Sequence, residues 1–305
     1  MKILLSFLIL ATVPFYFAGI IQRVKSIWAG RVGTPVLQPM RDFRKLLLKG
    51  EVISSVTSFV FYVGACIYLA SVLTAFLIVS PLPCCSLLAF PGDFVVFAYL
   101  LGLGRFFLIL SAMDTGSSFE GMGASREITF ATLVEPAFFI LLGSLALFTG
   151  YGSFTSIFSH LENSMENVLL LKCVSIPALF IMLLVEGSRV PIDDPNTHLE
   201  LTMIHEVMVL DHSGPNLAFV LYGTYLKMVL IAQLIAGLII PDSLPLLIYI
   251  GLWMLVLLFC AIAIGIIESF IARSRMTHNP QFIFVMTALA LIALASVVYS
   301  MHGGV

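Results

Sequence analysis

Residues 183–214, LLVEGSRVPIDDPNTHLELTMIHEVMVLDHSG, hold Glu186, Asp193, Asp194, Glu200, Glu206 and Asp211, together with Arg189 and the histidines His198, His205 and His212. Six of the 17 acidic residues and half of the 6 histidines thus stand in one segment. Side chains of these types hold metals, carry protons or bind charged partners. A metal is poorly served, because HEVMV at 205–209 has valine where an HExxH zinc pair needs its second histidine. The histidines recur every seven residues, which on a helix sets them roughly 10 Å apart, too far for one ion. A titratable relay or a polar face remains. Cys66, Cys84, Cys85, Cys173 and Cys260 show no cluster spacing, so no iron–sulfur site is expected, and Cys84–Cys85 reads as a buried or interfacial pair. No histidine lies in an apolar span to ligate haem. No residue here is expected to make or break bonds; the chain alone is not an enzyme.

Asp193–Asp194–Pro195 has the form of a helix start, an aspartate cap with proline at the first helical position. Read as a helix, residues 195–210 put Leu199, Met203, Ile204, Val207, Met208 and Leu210 on one face, with Glu200 in its middle. His198, Thr202, His205 and Val209 share the opposite face. A carboxylate on an apolar face must be paired, protonated or beside water, which singles out Glu200.

Arg105, Glu135, Glu186 and Lys227 are ionisable groups inside apolar spans or at their rims, where such groups are costly and face partners or water. Glu135 lies nine residues past Arg126 and Arg105 nine before Asp114, so both sit roughly 13 Å from the same face. Equal depth predicts an Arg105–Glu135 pair. Lys227, about 19 Å in, has no evident mate; it reads either as a proton relay of lowered pKa or as a structural lysine.

The elements that must position these groups are transmembrane helices. The chain is 60% hydrophobic and 10% charged, with a mean hydropathy of +1.09, far outside soluble norms. Eight apolar runs of spanning length occur at about 3–22, 52–80, 92–113, 127–150, 168–188, 215–240, 244–268 and 281–301. They make one all-α integral membrane domain over 1–305, with the first span a retained anchor. Net charge is only −2, but the bases crowd alternate loops. Arg23, Lys25, Arg31, Arg41, Arg44, Lys45, Lys49, Arg126, Arg189, Arg273 and Arg275 fall on one side, with Lys2 and Lys172 on the other. The positive-inside rule puts the crowded side inside and both termini outside.

The charged inside loops are 23–51, 113–127, 186–214 and 268–280. In the first, MRDFRKLLLK suits an interfacial helix with Met40, Phe43, Leu46 and Leu47 inward, touching anionic lipid. The second, MDTGSSFEGMGASRE, combines small residues with Asp114, Glu120, Arg126 and Glu127, as a cavity lining would.

Three stretches carry a family resemblance: GRVGTPVLQPMRDFRKLLLKGE (30–51), GSSFEGMGASRE with Glu135 (116–135) and VEGSRVPIDDPNTHLEL (185–201). They resemble the signature loops of the membrane heel subunit of respiratory complex I. They are closer still to its counterpart in energy-converting [NiFe] hydrogenases of the formate hydrogenlyase and hydrogenase-4 type, as are DTGS-F-G-GASRE and the E-S-x-x-A-R-x-R run at 268–275. The likeness covers essentially the whole chain. It implies eight tilted helices joining a soluble redox arm, with hydrogenase-like large and small iron–sulfur subunits, to antiporter-like membrane subunits in a prokaryotic inner membrane. Iron–sulfur clusters and [NiFe] would belong to those partners, and no cofactor to this chain; nucleic acid plays no part.

By position, Arg31, Gly33, Gln38, Pro39, Asp42 and Lys45 match the first loop motif; Arg126 and Glu135 match the arginine and fourth-span glutamate; Glu186, Arg189, Pro191, Asp193 and Glu200 match the acidic loop. The quinone-reducing branch has further glutamates where Asn196 and His198 stand here, and Glu-Tyr-Ser where Asp211–His212–Ser213 stands, with extra residues inserted. The second loop is shorter, with Glu120 near an expected lysine. These departures fall on a quinone headgroup site, so quinone binding stays open.

The resulting expectation is a subunit that docks a redox arm and couples electron transfer to proton or sodium translocation. Glu135, Glu186, Asp193, Glu200, Arg105, Lys227, His198 and His205 would form the path. Arg31, Gln38, Asp42, Lys45, Asp114, Glu120, Arg126, Arg189, Asp211, Arg273 and Arg275 would line the docking face and cavity. A self-contained transporter would use similar buried charge, but such proteins show inverted repeats and broken mid-bilayer helices, whereas here charge crowds one face. A quinone-site subunit of a respiratory dehydrogenase and a purely structural anchor for the soluble arm also stay open.

Overall fold

The structure, a computed structural model, describes residues 2–79, 81, 86–161, 168–193, 203–272 and 278–302, with side chains from Ser6 onward. Asp194, His198, Glu200, Arg273, Arg275, Cys84 and Cys85 lie outside the described residues.

The described residues form helices and no strand: α1 (Lys2–Trp28), α2 (Gln38–Leu47), α3 (Phe59–Ile78), α4 (Asp93–Asp114), α5 (Ser118–Thr149), α6 (Phe154–His160), α7 (Val168–Glu186), α8 (His205–Met208), α9 (Gly214–Ile239), α10 (Leu246–Phe270) and α11 (Asn279–His302). All but α2, α6 and α8 are long and apolar enough to cross a membrane, eight in number. In hydrocarbon every backbone donor and acceptor must be satisfied within the protein, and apolar helices achieve this residue by residue. The protein is a multi-pass membrane protein.

α9 is the axle. Of its most apolar window 83% is buried, against 33% for α10 and 28% for α11, and it packs on α1, α2, α3, α7 and α10. Close packing here rests on small residues: a Cβ on Gly223 would lie 2.6 Å from the Tyr68 ring, so α3 can approach only a glycine. α3 pairs with α4, α1 with α10, and α11 with α5 and α7.

The two ends of the bundle are built differently. At one, Asp93 accepts hydrogen bonds from the Ser153 hydroxyl (2.6 Å) and the Phe154 amide (2.9 Å), capping α6. At the other, the charged connections lock together. Asp114 accepts from the Ser58 amide (2.7 Å) and hydroxyl (2.8 Å) at the start of α3. Ser213 bonds both backbone groups of Val52 (3.0 and 3.1 Å).

Two expectations change. The connection 113–127 is mostly helix: α5 begins at Ser118 and runs 32 residues, so Glu120, Arg126 and Glu127 are helical positions. Gly123 allows this, because a Cβ there would lie 2.9 Å from the Ile204 carbonyl oxygen. The helix expected over 195–210 is confined, among the described residues, to His205–Met208. Asp193 does cap a helix, but this later one: its Oδ2 accepts the amides of Ile204 (3.0 Å) and His205 (3.1 Å). α2 lies against α1 and α9 through Phe43, whose ring meets those of Phe15 (5.2 Å) and Tyr222 (5.5 Å). Met40 and Leu47 line a groove between α1 and α2 together with Phe15 and Phe43.

Candidate functional site

Arg105, buried on α4, holds carboxylates from two other helices. Its Nη1 lies 2.7 Å from Glu135 Oε1 and its Nε 3.3 Å from Glu127 Oε1, both on α5; its Nη2 bonds Glu186 Oε1 at the end of α7. Lys227 of α9 reaches the other Glu186 oxygen at 3.1 Å and stands 5.7 Å over the Tyr68 ring. The pair expected from equal depth is therefore made, and Lys227, which had no evident mate, has Glu186. Buried charges persist only when paired this closely, and removing one partner leaves the other uncompensated.

The group opens in two directions. A groove of about 620 Å³ between α4 and α5 is lined by Arg105 and Glu135 with Tyr99, Leu103, Phe106 and Thr132. Toward the charged end, a narrow cavity of about 10 Å³ lies among Arg105, Glu127, Glu186, Ser188 and Asp193.

Beyond Asp193 comes α8. His205 Nε2 lies 3.3 Å from the Thr224 hydroxyl, which lies 3.1 Å from the Tyr68 hydroxyl, a hydrogen-bonded line running back toward Lys227. Burial, reinforced by the charge on Lys227, pushes His205 down to about 3, so it is neutral at neutral pH. Glu206 is pushed up to about 7 by burial and then by the negative charge of Asp193, with Arg189 opposing. It therefore titrates where a proton carrier should. His212, stacked on Phe61 (centroids 4.1 Å apart, 10° between planes) and 3.1 Å from the Ser111 hydroxyl, is pushed down to about 4 by burial.

A second ionic group ties α1 and α10 to the turn after α7. Glu268, fully buried, takes Lys25 at 2.7 Å and Arg189 at 3.3 Å. Glu120, also buried, accepts the Asp211 amide at 3.0 Å, and Arg126 donates to the Met203 carbonyl at 2.9 Å. Arg31, Asp42 and Lys45 are exposed, and Gln38 donates to Asp42 at 2.7 Å. Among the described residues no set of three His, Cys, Asp or Glu side chains converges as a metal site requires.

Known proteins share this arrangement of helices. Residues 1–299 match the NADH dehydrogenase family. The chain belongs to that family. Hydrogenase-4 component C of Escherichia coli (strain K12) is 32% identical over 231 residues, covering 74% of this chain and 70% of that protein. Formate hydrogenlyase subunit 4 of the same organism is 29% identical over 313 residues, covering 96% and 97%. The fold also matches a chain of the membrane-bound sulfane sulfur reductase, an archaeal respiratory membrane complex, with a TM-score of 0.85 at 19% identity over 97% and 98% of the two chains. This NADH dehydrogenase family member is a complex I-like membrane subunit.

Within this family member, the structure brings Arg105, Glu135, Glu186 and Lys227 into one group and sets Asp193 and His205 beside it. It keeps apart Asp114, Glu120 and Asp211, which serve backbone caps and loop contacts. Sequence reasoning named Glu127 only as a cavity-lining charge and Glu268 only as the first residue of a family-like run, and it did not single out Tyr68 and Thr224. Glu127 had a usable signal: it precedes Glu135 by eight residues, two steps of four along one helix face. Tyr68 and Thr224 had none, since uncharged hydroxyls in apolar helices are ordinary.

Proposed function

We propose that this chain joins a soluble electron-transfer arm to the membrane part of a complex I-like, energy-converting hydrogenase-type assembly, coupling electron transfer to translocation of protons or sodium ions. The observation that supports it is the ionic group in which Arg105 joins Glu127, Glu186 and Glu135 at the α4–α5 groove, with Asp193 across a small cavity that Glu127, Arg105 and Glu186 also line. Charges this close in a low dielectric are strongly coupled, so one added charge or proton near Asp193 alters the protonation of its neighbours. Lys227 and Arg105 each hold one oxygen of Glu186, so loss of either contact would change the charge balance that Arg105 shares with Glu135. His205 and Glu206 stand at the charged end of this line, with His198 and Glu200 belonging to the same segment.

In this reading the exposed Arg31, Asp42 and Lys45, with the half-buried Gln38, meet hydrogenase-like large and small iron–sulfur subunits, which carry the clusters and [NiFe], with Arg126 and Asp211 on the same docking face. Antiporter-like subunits and lipid cover the apolar sides. The membrane is the prokaryotic cytoplasmic membrane, with both termini outside. The likeness to hydrogenase-4 component C and formate hydrogenlyase subunit 4 favours the hydrogenase branch over a quinone-reducing one.

The test is the assembled complex in sealed vesicles. Glu186→Gln is expected to keep electron transfer and abolish the accompanying ion uptake. Unchanged uptake would leave the chain a structural anchor. Isolation of the chain without iron–sulfur subunits, still conducting ions, would make it a self-contained transporter. Dependence of uptake on added sodium distinguishes the two ions.

A further inference from the structure

We propose that Glu127 holds an exchangeable proton at the junction between Asp193 and the Arg105 group, with a single water in the intervening cavity as the link.

The first argument is charge. In the ion pairs of this group two cations, Arg105 and Lys227, face three carboxylates, Glu127, Glu135 and Glu186. Glu127 and Glu186 keep only 18% and 3% of their side chains exposed, and a surplus negative charge there is costly and is relieved by protonation of one carboxylate. Geometry selects which. Glu186 has a cation on each oxygen, and Glu135 has Arg105 Nη1 at 2.7 Å. Glu127 has only the Nε edge, at 3.3 Å. The charged groups facing it are Arg105 of α4, Lys227 of α9, Glu186 of α7 and Asp193 of the following turn, so two of the four repel a carboxylate there.

The second argument is space. The cavity of about 10 Å³ bordered by Glu127, Asp193, Glu186, Arg105 and Ser188 is on the order of one water, and its walls supply the two to four polar partners a buried water needs. Arg126, next in sequence to Glu127, holds the Met203 carbonyl, which keeps the chain leading into α8 against this cavity. A proton given by the water to the Glu127 carboxylate is replaced by one taken from the Asp193 side, and the water is left neutral. The carrier role rests on the coupling reading above; the protonation itself does not.

Infrared spectra of the complex at about pH 8, far above an ordinary glutamate pKa, test this. The expected result is a protonated-carboxyl C=O band that moves in D2O and disappears in Glu127→Gln. It should shift in Glu127→Asp, which keeps the acid and guards against a folding defect, and stay in place in Glu135→Asp and Glu186→Asp. No band, a band surviving in Glu127→Gln, or one that moves only with Glu135→Asp or Glu186→Asp overturns the proposal. Ala131→Val, which narrows the cavity, should slow hydrogen–deuterium exchange of the band; an unchanged rate removes the water link. Ion uptake is a separate readout, so a lost coupling role and a lost proton site are told apart.

Discussion

The two buried ionic groups use the same residue types to opposite effect. Around Glu268 one carboxylate takes both Lys25 and Arg189, and Lys25 keeps 24% of its side chain exposed. Around Arg105 the carboxylates are in excess, Arg105 itself is only 7% exposed, and both a groove and a small cavity meet the group. The first arrangement is a staple across α1, α10 and the end of α7. The second stores a charge imbalance that a proton can relieve. How many cations each carboxylate has, and the access to it, rather than burial alone, separate holding from carrying.

The largest blow to that comparison should come from Arg105→Met. It leaves Glu135 and part of Glu186 uncompensated and should cost about 3–5 kcal/mol, read as lost thermal stability in detergent. If Glu268→Gln cost as much, the two groups would not differ in the way described.

Next comes pH. His205 and His212 are held below their usual pKa of 6.5, to about 3 and about 4. Each favours the fold fully above 6.5, and that contribution is lost as pH falls toward those values. Glu206, raised to about 7, has the opposite sign: its contribution is greatest below the usual 4.5 and is lost as pH rises to about 7. Two histidines outweigh one glutamate, so the melting temperature should fall between pH 6.5 and 4.5. His212→Gln should flatten this slope and Glu206→Gln steepen it. A slope unaffected by either would place the titration in the ionic groups instead.

Glu268→Gln sharpens the contrast at smaller scale. It should cost about 1–3 kcal/mol while ion uptake per electron stays at the unaltered level, unlike Glu186→Gln. A loss of uptake would make the Glu268 group part of the path. The smallest effect is the Arg105–Glu135 coupling. Glu135 keeps 46% of its side chain exposed to the groove, so a double-mutant cycle of Arg105→Met with Glu135→Gln should show about 0.5–1 kcal/mol of non-additivity. Strict additivity would remove Glu135 from the group.

The fold was legible where it depends on distance along one chain segment. Runs of apolar residues gave the number of spans, eight, but not every end: α1 runs on to Trp28, α3 starts only at Phe59, and α5 starts at Ser118, its polar first turns having read as a loop. Its Ser, Gly and Glu residues suggest a connector in water, yet they form helix because α8 packs against them, with the Ile204 carbonyl beside Gly123. The α8 region differs in another way: among the described residues its amphipathic period runs past the helix, which gives way to a turn at Val209 and Leu210, and the Asp193 carboxylate takes the amides of Ile204 and His205 at its start.

By itself, the sequence determined that the chain spans a membrane, which connections carry its charge, and that Arg105 and Glu135 lie at one level, because hydropathy and a fixed rise per residue are properties of one helix alone. Only the tertiary structure decided that Lys227 meets Glu186, that Glu127 joins Arg105, and that Tyr68 and Thr224 link His205 back toward Lys227. Those contacts depend on the rotation and neighbours of each helix, which come from packing around α9 and cannot be read along any single segment.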